Sequence, residues 1–375
     1  MSNTKHIAIV GAGIAGIALA ILATKQGHKV SLFERNSLTS NIGAGITLWP
    51  NALFVLQQME LAKEVITMGG APHFMHQFNQ YGVKQGVLDI NTASTLSGFP
   101  SVTLLRRDFM NIMVSELNRL KIKTDVNRTI TTQDLDDFKL QFDLVVGADG
   151  RMNSIVRQSL YSERGIPRYQ GFINIIGTSP LKQPPSDIAI CDFRGEKQRF
   201  GIVPIKNNQC FWAGAWNTNI DKTRPLSSWH EEMNQRFQHW PKPVRDVLKA
   251  YDKTSLNHLF VHDINPLPYW HKGNALIIGD AAHASLPTSG QGASQALEDA
   301  WHLTQTLREH LDLEQALHAF YQLRIRKTSA SQSIGRQLAQ QIFSLSVENT
   351  ELPASILTTP PEALSQFWMQ GLESR

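Results

Sequence analysis

The first chemistry that the sequence suggests is phosphate binding at a glycine-rich turn. Gly11, Gly13 and Gly16 form the pattern GxGxxG after an apolar run. The first glycine of this pattern permits a tight turn, the second lets a pyrophosphate approach the backbone, and the third allows close helix–strand packing. Glu34 ends the next apolar run, where a carboxylate would accept hydrogen bonds from ribose hydroxyls. The pattern predicts a dinucleotide site without separating NAD from FAD.

Two further motifs place an aspartate at the end of an apolar run. Gly279 and Asp280 end one run, and Pro287 and a glycine-rich turn at 290–293 follow before a helix. An aspartate at such a strand tip can bind a polyol chain such as ribityl. Free N–H groups at the helix start can stabilise negative charge on a flavin ring. Asp149 ends another run, although such an aspartate can instead cap the following helix.

These residues need a parallel sheet to position them. Buried strands are predicted at 6–10, 29–33, 142–147 and 274–279, with a helix at 14–26. The stretches at about 72–105 and 167–262 are rich in aromatic and β-branched residues, which predicts a second, more antiparallel sheet. Helical spacing appears at 290–309, 314–327 and 333–345.

The predicted fold class is α/β, with two interleaved domains. We expect a Rossmann-like domain that binds the dinucleotide, built from residues 1–71, 102–166 and 270–330. A mixed or antiparallel substrate domain is expected at 72–101 and 167–269, followed by a helical segment at 331–375. Because the sheet elements are scattered along the chain, the domains must be discontinuous.

Composition excludes several classes of protein. The chain has 375 residues and a formal charge of +4 without a basic stripe, which argues against nucleic-acid binding. Its two cysteines form neither a disulfide framework nor a metal motif, so we predict no metal site and a cytoplasmic setting. The apolar run at 7–23 is rich in alanine and glycine and leads into a strand, which argues against membrane insertion.

Taken together, these motifs resemble the class A flavoprotein monooxygenases, the para-hydroxybenzoate hydroxylase-like group that includes salicylate and urate hydroxylases. The likeness rests on GxGxxG with its acid, on Asp149-Gly150, and on Gly279-Asp280 with its glycine-rich sequel. Residues 43–51 resemble the flavin-side loop of the family, and Arg106 begins a stretch resembling its flavin-binding turn. The resemblance extends from Lys5 to about Arg336.

The resemblance implies a bound FAD and assigns residues to it. The implied cofactor-binding residues are Gly11, Gly13, Ala15, Gly16, Glu34, Arg35, Gly45, Arg106, Asp149, Asp280, Gly290, Gly292 and Ala293. Pro287, Gly290 and Gly292 are implied to border the flavin C4a atom, where oxygen reacts without any protein nucleophile. His283, Glu298 and Asp299 are interpreted as structural.

The sequence departs from the family pattern at two places. The family commonly has serine four residues after the aspartate of the Asp-Gly motif, but Asn153 holds that place and Ser154 follows it. This shift leaves the roles of Ser154 and Arg157 open. At 174–177 the chain lacks the aromatic-basic pair of many relatives, so no substrate contact is carried over there.

Candidate substrate contacts come from the second sheet and the flavin-side loop. They are Thr47, Trp49, Arg199, Phe200, Phe211, Trp212 and Trp216. Trp212 is favoured, because strand alternation places it on one face with Cys210 and Gly214. Aromatic residues at strand spacing are, however, more often part of a core.

The resemblance implies an enzyme that uses NADH or NADPH and O2 to hydroxylate a small aromatic or heteroaromatic compound through a flavin C4a-hydroperoxide. An epoxidase or a dehydrogenase of the same fold is the main alternative, and a non-catalytic FAD-binding protein is a further one. The mild positive charge allows an anionic aromatic substrate. The sequence does not distinguish a monomer from a homodimer.

Overall fold

Three sheets and the helices around them organise the part of the chain that the structure, a computed structural model, describes: residues 4–38, 45–161, 165–181, 188–343 and 359–372. The strands are β1 (His6–Val10), β2 (Lys29–Phe33), β3 (Gly45–Leu48), β4 (Phe74–Asn79), β5 (Lys84–Asp89), β6 (Val102–Leu105), β7 (Lys123–Asp125), β8 (Leu144–Gly147), β9 (Arg168–Pro180), β10 (Ala189–Gly195), β11 (Gln198–Ile205), β12 (Gln209–Asn217), β13 (Asn257–Asp263), β14 (His271–Lys272) and β15 (Ala275–Ile277). The helices are α1 (Ile14–Lys25), α2 (Pro50–Gln58), α3 (Ala62–Met68), α4 (Ile90–Ser97), α5 (Arg106–Arg119), α6 (Thr132–Gln141), α7 (Ile155–Leu160), α8 (Leu226–Phe237), α9 (Lys242–Ala250), α10 (Asp280–His283), α11 (Gly292–Glu309), α12 (Leu313–Phe343) and α13 (Pro361–Met369).

The first sheet has six strands in the order β14-β15-β8-β1-β2-β7. All pairs are parallel except β14 with β15. Strand β1 lies at the centre, and its residues Ile7, Ala8 and Ile9 are fully buried. A parallel strand covered on both faces needs such a continuous apolar run, which is why the sequence signal was clear. The predicted α/β architecture is confirmed.

The second sheet has seven strands in the order β13-β9-β12-β11-β10-β4-β5. Its pairs are antiparallel except the parallel pair of β10 with β4. The expectation that all of 72–105 belongs to this sheet is wrong for β6. That strand pairs with β3 in a separate two-stranded ladder, in which Thr103 lies opposite Thr47. The ladder brings the flavin-side segment next to the second sheet, and Thr103 donates a hydrogen bond to the carbonyl of Pro204 on β11.

The two helices predicted at 314–327 and 333–345 form one helix, α12, which the structure describes as far as Phe343. The residues between them include neither glycine nor proline, so nothing ends the helix there. Helix α11 begins at Gly292, not at residue 290, because Gly290 has a φ of +63° and interrupts helical geometry. Residues 344–358 and 373–375 of the predicted helical segment lie outside the described residues.

The domain boundaries expected from the sequence remain a prediction. None of the helices in the described ranges has the length and apolar character needed to cross a bilayer.

Candidate active site

The three glycines of the GxGxxG turn differ in what surrounds them. Gly11 has a φ of +103°, and a Cβ added there would lie 2.4 Å from the Ala148 carbonyl oxygen. A Cβ on Gly16 would lie 1.9 Å from the Gly11 carbonyl oxygen, so α1 packs against the turn only with glycine there. Gly13 instead has space, since its Cβ would lie 3.9 Å from Ala148. Its open side lies at the amino terminus of α1, where none of the described side chains caps the helix.

A fixed carboxylate stands beside this opening. The Glu34 side chain accepts hydrogen bonds from the backbone N–H groups of Ala12, at 2.8 Å, and Asn36, at 2.9 Å. These bonds hold the acid at the carboxyl end of β2 and next to the glycine turn. Arg35 is an exposed neighbour. The opening and the oriented acid suit a dinucleotide with its phosphates at the helix and its ribose at Glu34.

Asp280 lies at the start of α10 in a cluster with two arginines. Arg151 donates to its Oδ2 atom from Nε at 3.1 Å and from Nη2 at 2.8 Å. Burial lowers the pKa of the Arg106 guanidinium, and the nearby negative charge of Asp280 opposes this shift. Sequence reasoning missed Arg151, although its place directly after Asp149-Gly150 was an available signal. The cluster brings together residues from three distant parts of the chain.

The Asp149 carboxylate forms hydrogen bonds with the start of the following helix, α7. Its carboxylate accepts hydrogen bonds from the Ser154 hydroxyl at 2.5 Å and from the backbone N–H of Ile155 at 2.7 Å. Burial raises the pKa of Asp149, against those hydrogen bonds. The helix-cap alternative therefore describes the contacts of Asp149. The shifted Ser154 is the N-cap of α7 and accepts from the backbone N–H of Arg157 at 3.0 Å.

The buried Arg157 side chain joins two loops that are far apart in sequence. Its guanidinium donates to the carbonyl oxygens of Arg151 at 2.5 Å and Gly150 at 3.3 Å in one loop. It also donates to the carbonyl of Ala281 at 3.0 Å in the other. The Gly-Asp loop also packs closely on α1, because a Cβ on Gly279 would lie only 2.8 Å from the Ala15 Cβ. Arg157 thus fixes the Asp-Gly loop against the Gly-Asp loop.

The loop before α11 is shaped by hydrogen bonds to neighbouring elements. Pro287–Ser289 forms one 3-10 turn, and Gly290 follows in the left-handed region. Trp49 Nε1 donates to the Gly290 carbonyl at 2.7 Å, and Thr288 Oγ1 donates to the Gly335 carbonyl on α12 at 2.6 Å. Gly292 then begins α11, where no side chain caps the helix. The loop is held by its backbone from both sides.

A cavity of about 630 Å³ lies between this loop, β3, the second sheet, α12 and α13. The predicted site residues among its lining are Gly45, Thr47, Trp49, Arg199, Phe211, Trp212, Pro287, Gly290 and Ala293. Gly292 does not line it. Residues 43 and 44 of the expected flavin-side loop lie outside the described residues. The cavity is mostly apolar, as small-molecule sites usually are.

Three of the aromatic candidates lie on the sheet face that packs against helices. Phe200, Trp212 and Trp216 are fully buried among the aromatic residues that pack against α8 and α9. The Trp212 indole stacks on Phe200 at 5.5 Å and donates to Ser179 Oγ at 3.0 Å, so it reaches the cavity wall only from behind. Phe200 and Trp216 do not line the cavity. Strand alternation points Phe211 into the cavity instead.

The cavity wall carries one charged group of three residues. The buried Asp192 carboxylate accepts hydrogen bonds from Nε of Arg194 at 2.8 Å and from Nε of Arg199. Burial opposes ionisation of Asp192, but the two guanidinium groups outweigh it and hold its pKa below the ordinary value. Two cations on one carboxylate leave a net positive charge. Both arginine side chains are partly exposed, and all three residues line the cavity.

Behind the loop lies a fully buried ionic network. Arg324 donates to Asp299 at 2.7 Å and to Glu298 at 2.5 Å. His283 contacts Asp299 at 2.5 Å, and Lys327 pairs with Glu298 at 2.8 Å. Burial works against ionisation of Asp299, but His283 and Arg324 outweigh it and lower its pKa to about 2. The contacts match the structural interpretation of His283, Glu298 and Asp299. Their partners lie within this network or in adjacent segments of the same polypeptide.

A model of the FAD binding domain family matches residues 4–333. The chain belongs to this family. It is similar to the aurachin C monooxygenase/isomerase of Stigmatella aurantiaca, with 28% identity over 340 residues that cover 88% of this chain and 87% of that protein. It is also similar to the 6-hydroxynicotinate 3-monooxygenase of Bordetella bronchiseptica, with 27% identity over 326 residues that cover 82% and 84%. Klebsiella pneumoniae HpxO, solved with FAD and uric acid, shares the fold at a TM-score of 0.78, with 20% identity and coverage of 92% of this chain and 90% of that one.

These matches confirm the predicted class A flavoprotein monooxygenase and FAD as its cofactor. The residues of this FAD-binding family member also fit the cofactor on their own geometry. The space at Gly13, the uncapped start of α1 and the oriented Glu34 carboxylate suit the adenosine diphosphate portion. Asp280 stands at the strand tip where a polyol chain would lie. The residue roles themselves remain predictions.

Proposed function

We propose that this flavoprotein hydroxylates a small aromatic or heteroaromatic compound that carries an anionic group, with NADH or NADPH and O2 as co-substrates. The observation that carries the proposal is the net positive charge of the cluster Asp192, Arg194 and Arg199 in a mostly apolar cavity. An apolar wall suits a ring, and guanidinium groups suit a carboxylate or phenolate. Bound FAD supplies the redox chemistry that transfers electrons from the nicotinamide and activates oxygen.

The protein contributes binding, orientation and exclusion of water. The N–H groups at the start of α1 bind phosphate oxygens beside Gly13, and Glu34 accepts hydrogen bonds from the ribose. Pro287 and Gly290 shape the loop next to the cavity, and a Cβ at Gly290 would lie only 3.3 Å from Trp49 Nε1, so glycine there lets the indole pack on the loop. Arg199 and Arg194 orient the acidic group of the substrate, so that its ring lies towards the loop. The apolar lining lowers the amount of water around the reacting atoms.

Arg199→Gln tests the charged cluster. We expect the KM for an aromatic acid to rise about 10- to 100-fold with a smaller change in kcat, because the lost charge-assisted hydrogen bond serves ground-state binding. Initial rates of NAD(P)H oxidation with benzoate- and pyridine-type acids measure both constants. Arg245→Gln, on the exposed side of α9, is the matched control and should leave both constants unchanged. An unchanged KM in Arg199→Gln would contradict the assignment.

Product analysis separates hydroxylation from its alternatives. With labelled O2, hydroxylation places one labelled oxygen on a ring carbon and retains the ring. An epoxide product favours the epoxidase alternative, and an oxidised product without label favours the dehydrogenase. Stoichiometric FAD without stimulated NAD(P)H consumption by any aromatic acid, phenol or heteroaromatic would favour the non-catalytic alternative. We also propose a cytoplasmic setting, in keeping with Cys191 and Cys210, which form no disulfide within the described part of the chain.

A further inference from the structure

Helix α13 forms a wall of the substrate cavity. Its residues Ala363, Leu364, Phe367 and Trp368 line this space. The family model ends at residue 333, so this wall lies beyond the part of the chain that the model describes. A wall outside the common family region is a place where the cavity of this chain can take its own dimensions.

Trp368 joins this wall to the loop next to the cavity. Its indole is 3% exposed and stacks on Trp49, with ring centroids 5.2 Å apart and an interplanar angle of 15°. The Trp49 ring in turn donates from Nε1 to the Gly290 carbonyl at 2.7 Å. Stacked aromatic pairs add to the stability that burial alone provides. Trp368 therefore has a defined position relative to the loop.

Hydrogen bonds from α12 fix the backbone around Trp368. Lys327 Nζ on α12 donates to the carbonyl oxygens of Trp368 at 2.8 Å and Gln370 at 3.1 Å. The same ammonium group pairs with the buried Glu298. In addition, Ser97 Oγ donates to Ser365 Oγ at 2.9 Å and ties α13 to α4. These contacts keep the indole from swinging away when a larger molecule enters.

We propose that Trp368 is a specificity-determining residue that limits the size of the aromatic ring system admitted to the cavity. The stack on Trp49 and the Lys327 contacts make this wall rigid, so a ring system large enough to reach α13 meets a fixed indole. The inference rests on the proposed function in that it assumes an aromatic substrate in this cavity. It does not depend on the anionic group or on the type of oxygenation.

Dissociation constants of matched one-ring and two-ring compounds test the proposal. Benzoate and 1-naphthoate form an acidic pair, and phenol and 1-naphthol form a neutral pair. Binding to the holoenzyme is measured from the change in flavin absorbance, without turnover. In Trp368→Ala, the affinity for the two-ring member relative to the one-ring member should rise about tenfold, because removal of a ring-sized wall admits the second ring. A ratio within about threefold of wild type would overturn the proposal.

Three companion variants keep the test decisive. Trp368→Phe keeps a ring against Trp49 and should retain most of the wild-type discrimination, whereas a loss as large as that of alanine would contradict the role of the stack. Phe367→Ala opens the same wall and should shift the ratio in the same direction if Trp368→Ala fails to fold. Trp301→Ala removes a half-buried indole outside the cavity and should leave the ratio unchanged.

The two compound pairs separate failure of the inference from failure of the proposed function. If the wild-type protein binds the neutral pair but not the acidic pair, the anionic preference is wrong and the ratio of the phenols still tests Trp368. If both pairs bind, the acidic pair more tightly, and the ratio does not respond to Trp368→Ala, the anionic preference stands and the size limit is wrong. If the wild-type protein binds none of the four compounds, both the aromatic cavity and the size limit are contradicted.

Discussion

Gly13→Val should abolish FAD binding while leaving the apoprotein folded. Gly13 has an ordinary φ of −77°, and a Cβ there would meet the chain only at 3.9 Å, so a Cβ at this position strains neither the backbone nor its neighbours. The valine would instead fill the space that the pyrophosphate needs. We expect the FAD dissociation constant to rise at least about 100-fold, which corresponds to ~2.7 kcal/mol. Flavin absorbance retained after desalting and FAD titration of the apoprotein measure it.

Gly16→Val is the informative contrast to this variant. A Cβ at Gly16 would overlap the Gly11 carbonyl, so this change should prevent both FAD binding and native packing of α1. Thermal unfolding of the two apoproteins should therefore differ, with Gly13→Val close to wild type and Gly16→Val strongly destabilised. If Gly13→Val retained FAD with native affinity, the phosphates would have to lie elsewhere and the assignment of the turn would be wrong.

Arg324→Met should destabilise the protein by about 3–5 kcal/mol, the range measured when one partner of a buried ion pair is removed. The guanidinium is fully buried between Glu298 and Asp299. Methionine fills much of the volume but leaves both carboxylates with less compensating charge. Denaturant unfolding at neutral pH measures the change in the free energy of unfolding.

The matched control is Arg326→Met on the same helix. Arg326 is exposed, so its replacement should change the free energy of unfolding by less than about 0.5 kcal/mol. FAD should still bind to Arg324→Met at low temperature, because the network lies behind the loop and supports it indirectly. An Arg324→Met protein as stable as the control would show that the ionic network contributes no net stability.

The cofactor half of the fold was readable because its signals are local. A parallel strand buried on both faces needs a continuous apolar run, and the turn after β1 needs glycine at a fixed spacing. A Cβ on Gly16 would lie 1.9 Å from the Gly11 carbonyl oxygen within the same turn, and the φ of +103° at Gly11 itself favours glycine. Such constraints appear in the sequence at fixed spacing, without knowledge of distant parts of the chain.

The substrate half was less readable because its decisive contacts are long-range. Alternation along β12 separates Phe211 from Trp212, but it does not say which face meets helices and which meets the cavity. Only the packing of α8 and α9 against Trp212 decides that. The role of Arg194 depends on Asp192 and Arg199 across a hairpin, and that of Trp368 on Trp49, which lies far away in sequence.

Polar residues inside helices were also difficult to interpret from the sequence. Arg324 and Lys327 resemble solvated charges of an amphipathic helix, yet both are buried opposite Glu298. The sequence also predicts a helix break between residues 327 and 333. Thr328 and Ser331 in this stretch are instead buried within one continuous helix. Burial of a charge is decided by its partner, and the partner is not adjacent in sequence.

The bridge made by Arg157 has a consequence for how the protein is synthesised. The glycine turn, Glu34 and Arg157 leave the ribosome well before Ala281, whose carbonyl completes the bridge, and before β15, which pairs with β8. The nascent chain must therefore hold an incomplete nucleotide site while more than a hundred further residues are added. We therefore expect FAD to bind late in biosynthesis, and we expect an isolated amino-terminal half of the chain not to bind the flavin.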